Sequence, residues 1–219
     1  MAFNVAIDGP AGAGKSTIAK AVAAKKGYVY VDTGAMYRAM ALYFLRSNIS
    51  KDDEAKISAS VDEIKVSIKY EDGAQHVILN DEDVTGLIRT EEVGNMASAT
   101  SVYSAVRTKL VALQQELAKT TDVIMDGRDI GTVVLPNADV KIFLTASVEC
   151  RAKRRFDELK AKGENPDFDQ IAKDIEERDY RDSHREISPL KQAEDATLVD
   201  SSDMTIDEVV TAIINLCDK

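Results

Sequence analysis

Short apolar runs alternate with helix-period stripes along most of this chain. Phe3 to Ile7 is a mostly apolar run of the kind that forms a strand buried on both faces. Comparable runs recur at Tyr28–Val31, Val123–Asp126, Val140–Leu144 and Thr197–Val199. Between them the apolar positions fall at helical spacing. Ile18, Ala19, Val22 and Ala23 make one stripe, closed by Lys25, Lys26 and Gly27, a cationic last turn with glycine beyond it. Met36, Ala39, Met40 and Tyr43 make a second, with Thr33 as its expected N-cap. A long helix is expected from Thr90, with Val102, Val106, Leu110, Leu113 and Leu117 in the core. Ser147 and Glu149 open another helix, broken at 163–166, and a further helix is stopped by Pro189. Thr205 and Glu208 form a capping box for a last helix that turns Ile206, Val209, Val210, Ile213 and Cys217 inward. Strand and helix in repeated alternation predict a parallel sheet with helices on both faces.

One stretch breaks the alternation. Residues 47–62 are polar, with room for one short helix. Ile64, Val66, Ile68 and Tyr70 then alternate with polar residues at period two, a turn follows at 71–75, and His76 to Leu79 returns. A further short strand fits Glu82 to Val84. This predicts a small antiparallel insertion. His76 has no neighbouring Cys, Asp or Ser constellation along the sequence and reads as an exposed strand histidine.

The first strand runs into Gly9, Pro10, Ala11, Gly12, Ala13, Gly14, Lys15, Ser16 and Thr17, which spell G-x-x-x-x-G-K-S ahead of a helix. Strand, glycine-rich loop and helix in that order is the context of a phosphate-binding P-loop. Gly12 and Gly14 let successive N–H groups turn inward toward phosphate oxygens. Lys15 would reach the β- and γ-phosphates in such a loop, and the Ser16 hydroxyl is the expected metal ligand, for Mg²⁺. No G-x-G-x-x-G is present, so a dinucleotide fold gains no support.

The chain has 219 residues, 28 Lys and Arg against 38 Asp and Glu, and a net charge of −10. That balance argues against a nucleic-acid face, and an acidic chain that binds polyphosphate must gather its positive charge locally. Arginines do gather. Arg38 follows the second strand, where ligands of open α/β sheets bind. It can grip a phosphate or simply be a solvated helix residue. Arg128 and Asp129 follow Asp126, an acid ending an apolar strand, the position a P-loop fold uses beside Mg²⁺. Arg151, Arg154 and Arg155 share one helix face, and Arg178, Arg181 and Arg185 another. Interleaved acids leave open that the second set is a solvated face. The two cysteines, Cys150 and Cys217, have no ligand spacing, and no secretory leader or membrane span is apparent. The expectation is a cytoplasmic monomer with small-molecule substrates and neither nucleic-acid nor membrane partners.

Five stretches together resemble the bacterial cytidylate kinases, within the nucleoside monophosphate kinase branch of P-loop proteins. They are GPAGAGKST at 9–17, DTGAMYR at 32–38, IRTEEV at 88–93, DGRDIGTVV at 126–134 and ERDYRDSHR at 177–185. The resemblance covers nearly the whole chain. It implies a P-loop kinase fold, α/β, with a five-stranded parallel sheet flanked by helices. It divides the chain into a core at 1–59 and 101–219, a monophosphate-binding β insertion at 60–100 and a lid near 151–167. The activity implied is transfer of the γ-phosphoryl of ATP to CMP and dCMP, with Mg²⁺. By the same resemblance, the P-loop backbone (9–17) and Lys15 would hold ATP. Arg38, with Tyr37 and Arg128, would hold the CMP phosphate, and Thr33 would also belong to the substrate site. Ser98, Arg107, Asp129 and Arg185 would face cytosine, and Arg178 and Asp182 the ribose. The catalytic set would be Lys15, Asp126, Arg128, Arg154, Arg155 and Arg181. A kinase of another small acceptor, such as a shikimate-type kinase, shares only the P-loop. A non-catalytic nucleotide-binding regulator would have no use for two sets of arginines.

Overall fold

The computed structural model describes residues 2–71 and 74–218. The chain forms two compact units, one of Met1–Tyr30 with Thr121–Lys219 and one of Val31–Thr120.

The first unit begins with β1 (Asn4–Asp8) and α1 (Lys15–Lys26). β2 (Val29–Asp32) carries the chain toward the second unit. After it come β6 (Val123–Gly127), a short π-helical turn at Ile130–Val134, β7 (Val140–Thr145), α6 (Val148–Ala161), α7 (Phe168–His184), β8 (Thr197–Asp200) and α8 (Ile206–Cys217). The five-stranded sheet has the order β2-β6-β1-β7-β8. β1 pairs in parallel with β6 on one side and β7 on the other, with Ile7 opposite both Asp126 and Ile142. β8 extends the sheet in parallel from β7. The strands can be nearly all apolar because α1 and α8 cover them. Val5, Ile7, Ile124, Ile142 and Leu144 are buried against Ile18, Val22, Val209 and Ile213.

The second unit holds α2 (Thr33–Arg46), α3 (Glu54–Ser60), the hairpin β3 (Val66–Glu71) and β4 (Ala74–Leu79), β5 (Glu82–Asp83), α4 (Glu91–Thr100) and α5 (Ser104–Thr120). It has its own core, in which Met36, Met40 and Phe44 of α2 meet Ile57, Ile64, Ile88 and Leu110. The hairpin register puts Ile68 opposite Val77 and Lys69 opposite His76. The expected turn at 71–75 has its middle residues, 72 and 73, outside the described residues.

The parallel sheet, the antiparallel insertion and the capping box of α8 are as the sequence predicts. Several local expectations change. The cap of α2 is Asp32, not Thr33, because the Asp32 carboxylate accepts from the Ala35 N–H at 2.9 Å. The long helix expected from Thr90 is two helices with a break at 101–103, and Val102 lies in that break, exposed. The Ser101 N–H still bonds back to Ala97, but the Ser101 carbonyl goes to the Arg107 guanidinium, at 3.4 Å, instead of continuing the ladder. Leu113 and Leu117 are only half-buried, while Gln114 is buried. Ile206 is exposed, since the first residue of α8 stands clear of the sheet. His76 does have a carboxylate neighbour, with Nδ1 2.7 Å from Asp83 across the β4–β5 turn.

Candidate active site

The site in the first unit starts where β1 stops. Gly9 has φ +149°, and a Cβ there would lie 1.9 Å from the Leu144 carbonyl oxygen, so the loop can leave the sheet only through glycine. Gly12 and Gly14 are left-handed, and Gly14 caps α1. Lys15, nearly buried, donates from Nζ to the Pro10 carbonyl at 2.7 Å across the loop. Burial pushes the Lys15 ammonium well below its ordinary range, the positive charge of Arg128 adds to that, and Asp126, Asp8 and Asp182 oppose it. The Ser16 hydroxyl donates to Asp126 Oδ2 at 2.8 Å, and Tyr30 OH to Asp126 Oδ1 at 2.9 Å. The expected metal ligand and the expected strand-end acid therefore touch.

Beyond Asp126 the chain builds a paired network. Arg128 Nε meets Asp182 of α7 at 2.8 Å, and Arg185 lies 3.6 Å from Asp129, with little of either side chain exposed. Arg185 is not on the α7 face with Arg178 and Arg181. It sits one residue past the helix end, in extended backbone, with Nε bound to the Ser188 carbonyl. Burial alone would raise the Asp182 carboxyl, but Arg128, Arg178 and Arg185 outweigh it and hold it below the usual carboxylate range.

The arginines of α6 divide by depth. Arg151 is buried and spends its whole fork on the protein. Nε donates to the Ala146 carbonyl at 2.9 Å, one terminal nitrogen to Ala11 of the P-loop at 3.0 Å, and the other to Asp179 at 2.6 Å. Arg154 reaches the Ser201 carbonyl at 2.8 Å and, at 3.5 Å, the Ala13 carbonyl of the P-loop. Arg155 pairs with Glu158 at the surface, and Arg181 is exposed.

In the second unit Thr33 is buried at the start of α2, and the Tyr37 ring lies 5.9 Å from the Arg107 guanidinium. Arg107 is buried beside the α4–α5 break, while the half-buried Ser98 gives its carbonyl to Ser101 Oγ. Arg38 borders Gly34, where a Cβ would come within 3.4 Å of its guanidinium. Asp32 organises this corner. It caps α2, pairs with Arg89 at 2.5 Å, and has its backbone N–H bound by Gln75 of the hairpin at 2.7 Å. Asp32, Gln75, Arg89, Asp8 and the fork of Arg151 are absent from the sequence-based site. An acid ending the first apolar strand, as Asp126 ends the third, is the signal that could have marked Asp8.

A family model for cytidylate kinase matches residues 5–219. The chain belongs to the cytidylate kinase family. It is 54% identical over 217 residues to a cytidylate kinase of Lactobacillus johnsonii, covering 99% of this chain and 94% of that protein. It is 54% identical over 214 residues to one of Caldicellulosiruptor bescii, covering 98% and 95%. Among solved structures, an uncharacterized protein of Eubacterium ventriosum superposes with a TM-score of 0.56 at 11% identity, covering 99% of each chain. Shikimate kinase of Bacteroides thetaiotaomicron superposes at 0.51 and 14% identity, again over 99% of each. Those likenesses establish the fold and not the acceptor. Within the cytidylate kinase family, ATP is the phosphoryl donor. Among the described residues no helix is long and apolar enough to cross a membrane, and both cysteines are free.

Proposed function

We propose that this member of the cytidylate kinase family transfers the γ-phosphoryl of ATP to CMP and dCMP, giving ADP and CDP or dCDP. The observation that carries the reading is the pairing of Arg128 with Asp182 and of Asp129 with Arg185. A P-loop alone does not require it, and it joins two of the stretches that distinguish this family.

The acceptor is already an anion, so no strong general base is needed. The barrier is electrostatic, because two polyanions must meet in line. The backbone amides of Gly9–Thr17 and the Lys15 ammonium hold the ATP phosphates. Phosphate entering beside Lys15 restores the charge that burial and Arg128 disfavour. Ser16 and Asp126 present two hard oxygens side by side, and among the described residues no cluster of three or more His, Cys, Asp or Glu could hold a metal by itself. That set fits Mg²⁺, a hard cation that Ser16 and Asp126 would hold and that would supply charge neutralisation there. Arg154, Arg155 and Arg181 steady the transferring group, and a lid at about 151–167 excludes water that would hydrolyse ATP.

Tyr37, Arg38 and Arg128 take the CMP phosphate, Arg178 and Asp182 the ribose and its neighbourhood, and Ser98, Arg107, Asp129 and Arg185 the base, with Thr33 also in the substrate site. Cytosine offers an amino donor where uracil offers a carbonyl. A carboxylate or hydroxyl acceptor left facing that carbonyl costs about 1–3 kcal/mol, and more when charged. Coupled ADP release with Mg-ATP and each nucleoside monophosphate tests the reading. The expected order is strong release with CMP and dCMP, weak with UMP and none with AMP. Comparable turnover of UMP and CMP would refute the base assignment, and no release with any acceptor would refute the reaction.

A further inference from the structure

Asp8 ends β1 and is 4% exposed. Each of its carboxylate oxygens accepts one backbone N–H, Oδ1 from Ile130 and Oδ2 from Gly131, both at 2.7 Å. Those two residues follow directly on Arg128 and Asp129. On its other side Asp8 is joined to Gly9, whose backbone is pressed against Leu144. One carboxylate thus pins the entrance of the P-loop to the segment that presents Arg128 and Asp129. The site is built around that contact. Gly131 has no Cβ, and one placed there would meet Lys141 Cδ at 3.2 Å and Asp8 Oδ2 at 3.4 Å. The charged groups that act on Asp8 are Lys15 of α1 and Asp129. Lys141 of β7 borders Gly131, but its ammonium is taken by Asp195 and the Pro136 carbonyl.

We propose that Asp8 is a positioning residue for phosphoryl transfer, one that sets the Arg128–Asp129 segment against the P-loop through the Ile130 and Gly131 amides. It touches no substrate. The inference rests on the reading of Arg128 and Asp129 given above. An amide in place of the carboxylate keeps the shape but turns an NH₂ toward one of the two N–H donors, so the segment shifts while the fold is retained.

Asp8→Asn is assayed at pH 8 with saturating ATP and CMP, alongside thermal unfolding and backbone amide hydrogen exchange. The expected result is a kcat at least tenfold lower and a KM for ATP within about threefold. Ile130 and Gly131 should exchange faster, while Tm stays within about 3 °C of the parent or rises. Gly131→Ala, which crowds the same contact from the other side, should lower kcat in the same sense. A kcat within twofold of the parent in both variants would overturn the proposal. So would a loss of kcat accompanied by global loss of stability or failure to fold, which would make Asp8 structural. A parent enzyme without CMP-dependent ADP release would instead refute the underlying assignment of function.

Discussion

Replacing Arg151 by Met gives the sharpest test of how α6 meets the P-loop. Methionine keeps a flexible stem where the Arg151 Cβ, Cγ and Cδ pack under Gly12 at 3.4–3.9 Å from the position of a Gly12 Cβ. It deletes three hydrogen bonds, to Ala146, Ala11 and Asp179. All three have the charged guanidinium as donor, and a hydrogen bond to a charged group is worth about 1.5–3 kcal/mol. Asp179 is a quarter exposed, which places its share toward the low end. Breaking one partner of a buried ion pair costs about 3–5 kcal/mol, and the three lost bonds reach the upper part of that range when each is taken at its low end. For a chain of this size that is a fall in Tm of roughly 6–20 °C. The bond to Ala11 tethers the P-loop, and losing about 1 kcal/mol of it weakens ATP binding about fivefold. Arg151→Lys keeps a charge for Asp179 but cannot fork, so it should fall between the parent and the methionine variant. Urea or thermal unfolding and calorimetric ATP binding provide the readouts. A loss under about 1 kcal/mol with unchanged ATP affinity would refute the reasoning, and Arg151 would then be one more solvated arginine on its helix.

Two further predictions concern single groups. Arg38→Ala should raise the KM for CMP by at least tenfold while leaving ATP binding within about threefold, measured by acceptor titration and calorimetry; equal losses on both substrates would undo the assignment of Arg38 to the CMP phosphate. Burial pushes the Asp8 carboxyl up to about 6, with the Ile130 and Gly131 amides pulling the other way, so the folded state holds this proton more tightly than the unfolded chain does. That rise from the ordinary carboxylate range to about 6 corresponds to about 3 kcal/mol of stability that is present below pH ~4, is lost as pH rises toward 6, and is absent above 7. The stability of the parent relative to Asp8→Asn should therefore fall by about that amount between pH 4 and pH 7 in urea titrations, and a pH-independent difference would contradict the burial argument.

The features legible in the sequence are those that depend on neighbours along the chain. A strand buried on both faces must be apolar throughout, so β1, β6 and β7 are readable as runs. The P-loop is local, and so is the capping box at Thr205 and Glu208. What escaped depends on depth or on distant partners. Periodicity puts Arg151, Arg154 and Arg155 on one face of α6, but only the packed structure shows that Arg151 is buried and Arg155 is not. Asp32 and Thr33 are equally good caps by residue type, and Asp32 takes the role where Arg89 and Gln75 also hold it. The break after Thr100 has no proline or glycine to announce it, so the helical stripe reads straight through Val102. Asp8 reads as the end of a strand because its partners lie more than 120 residues away, at Ile130 and Gly131.

These same long-range contacts explain how a chain of net charge −10 can receive two polyanions. Cations gathered for phosphate repel one another, as the lowering of Lys15 by Arg128 shows. Acids interleaved among them, Asp126, Asp8 and Asp182 at Lys15, offset part of that repulsion. Asp182 holds Arg128, Asp129 holds Arg185 and Asp179 holds Arg151, two of these acids being supplied by α7 and the third by the segment after β6. An arginine held in this way has already lost its rotamer freedom, so less entropy remains to be lost when phosphate arrives. The acids therefore do not oppose substrate binding in proportion to their number. They fix the guanidinium groups in place, and the excess of negative charge over the whole chain is consistent with a strongly cationic site.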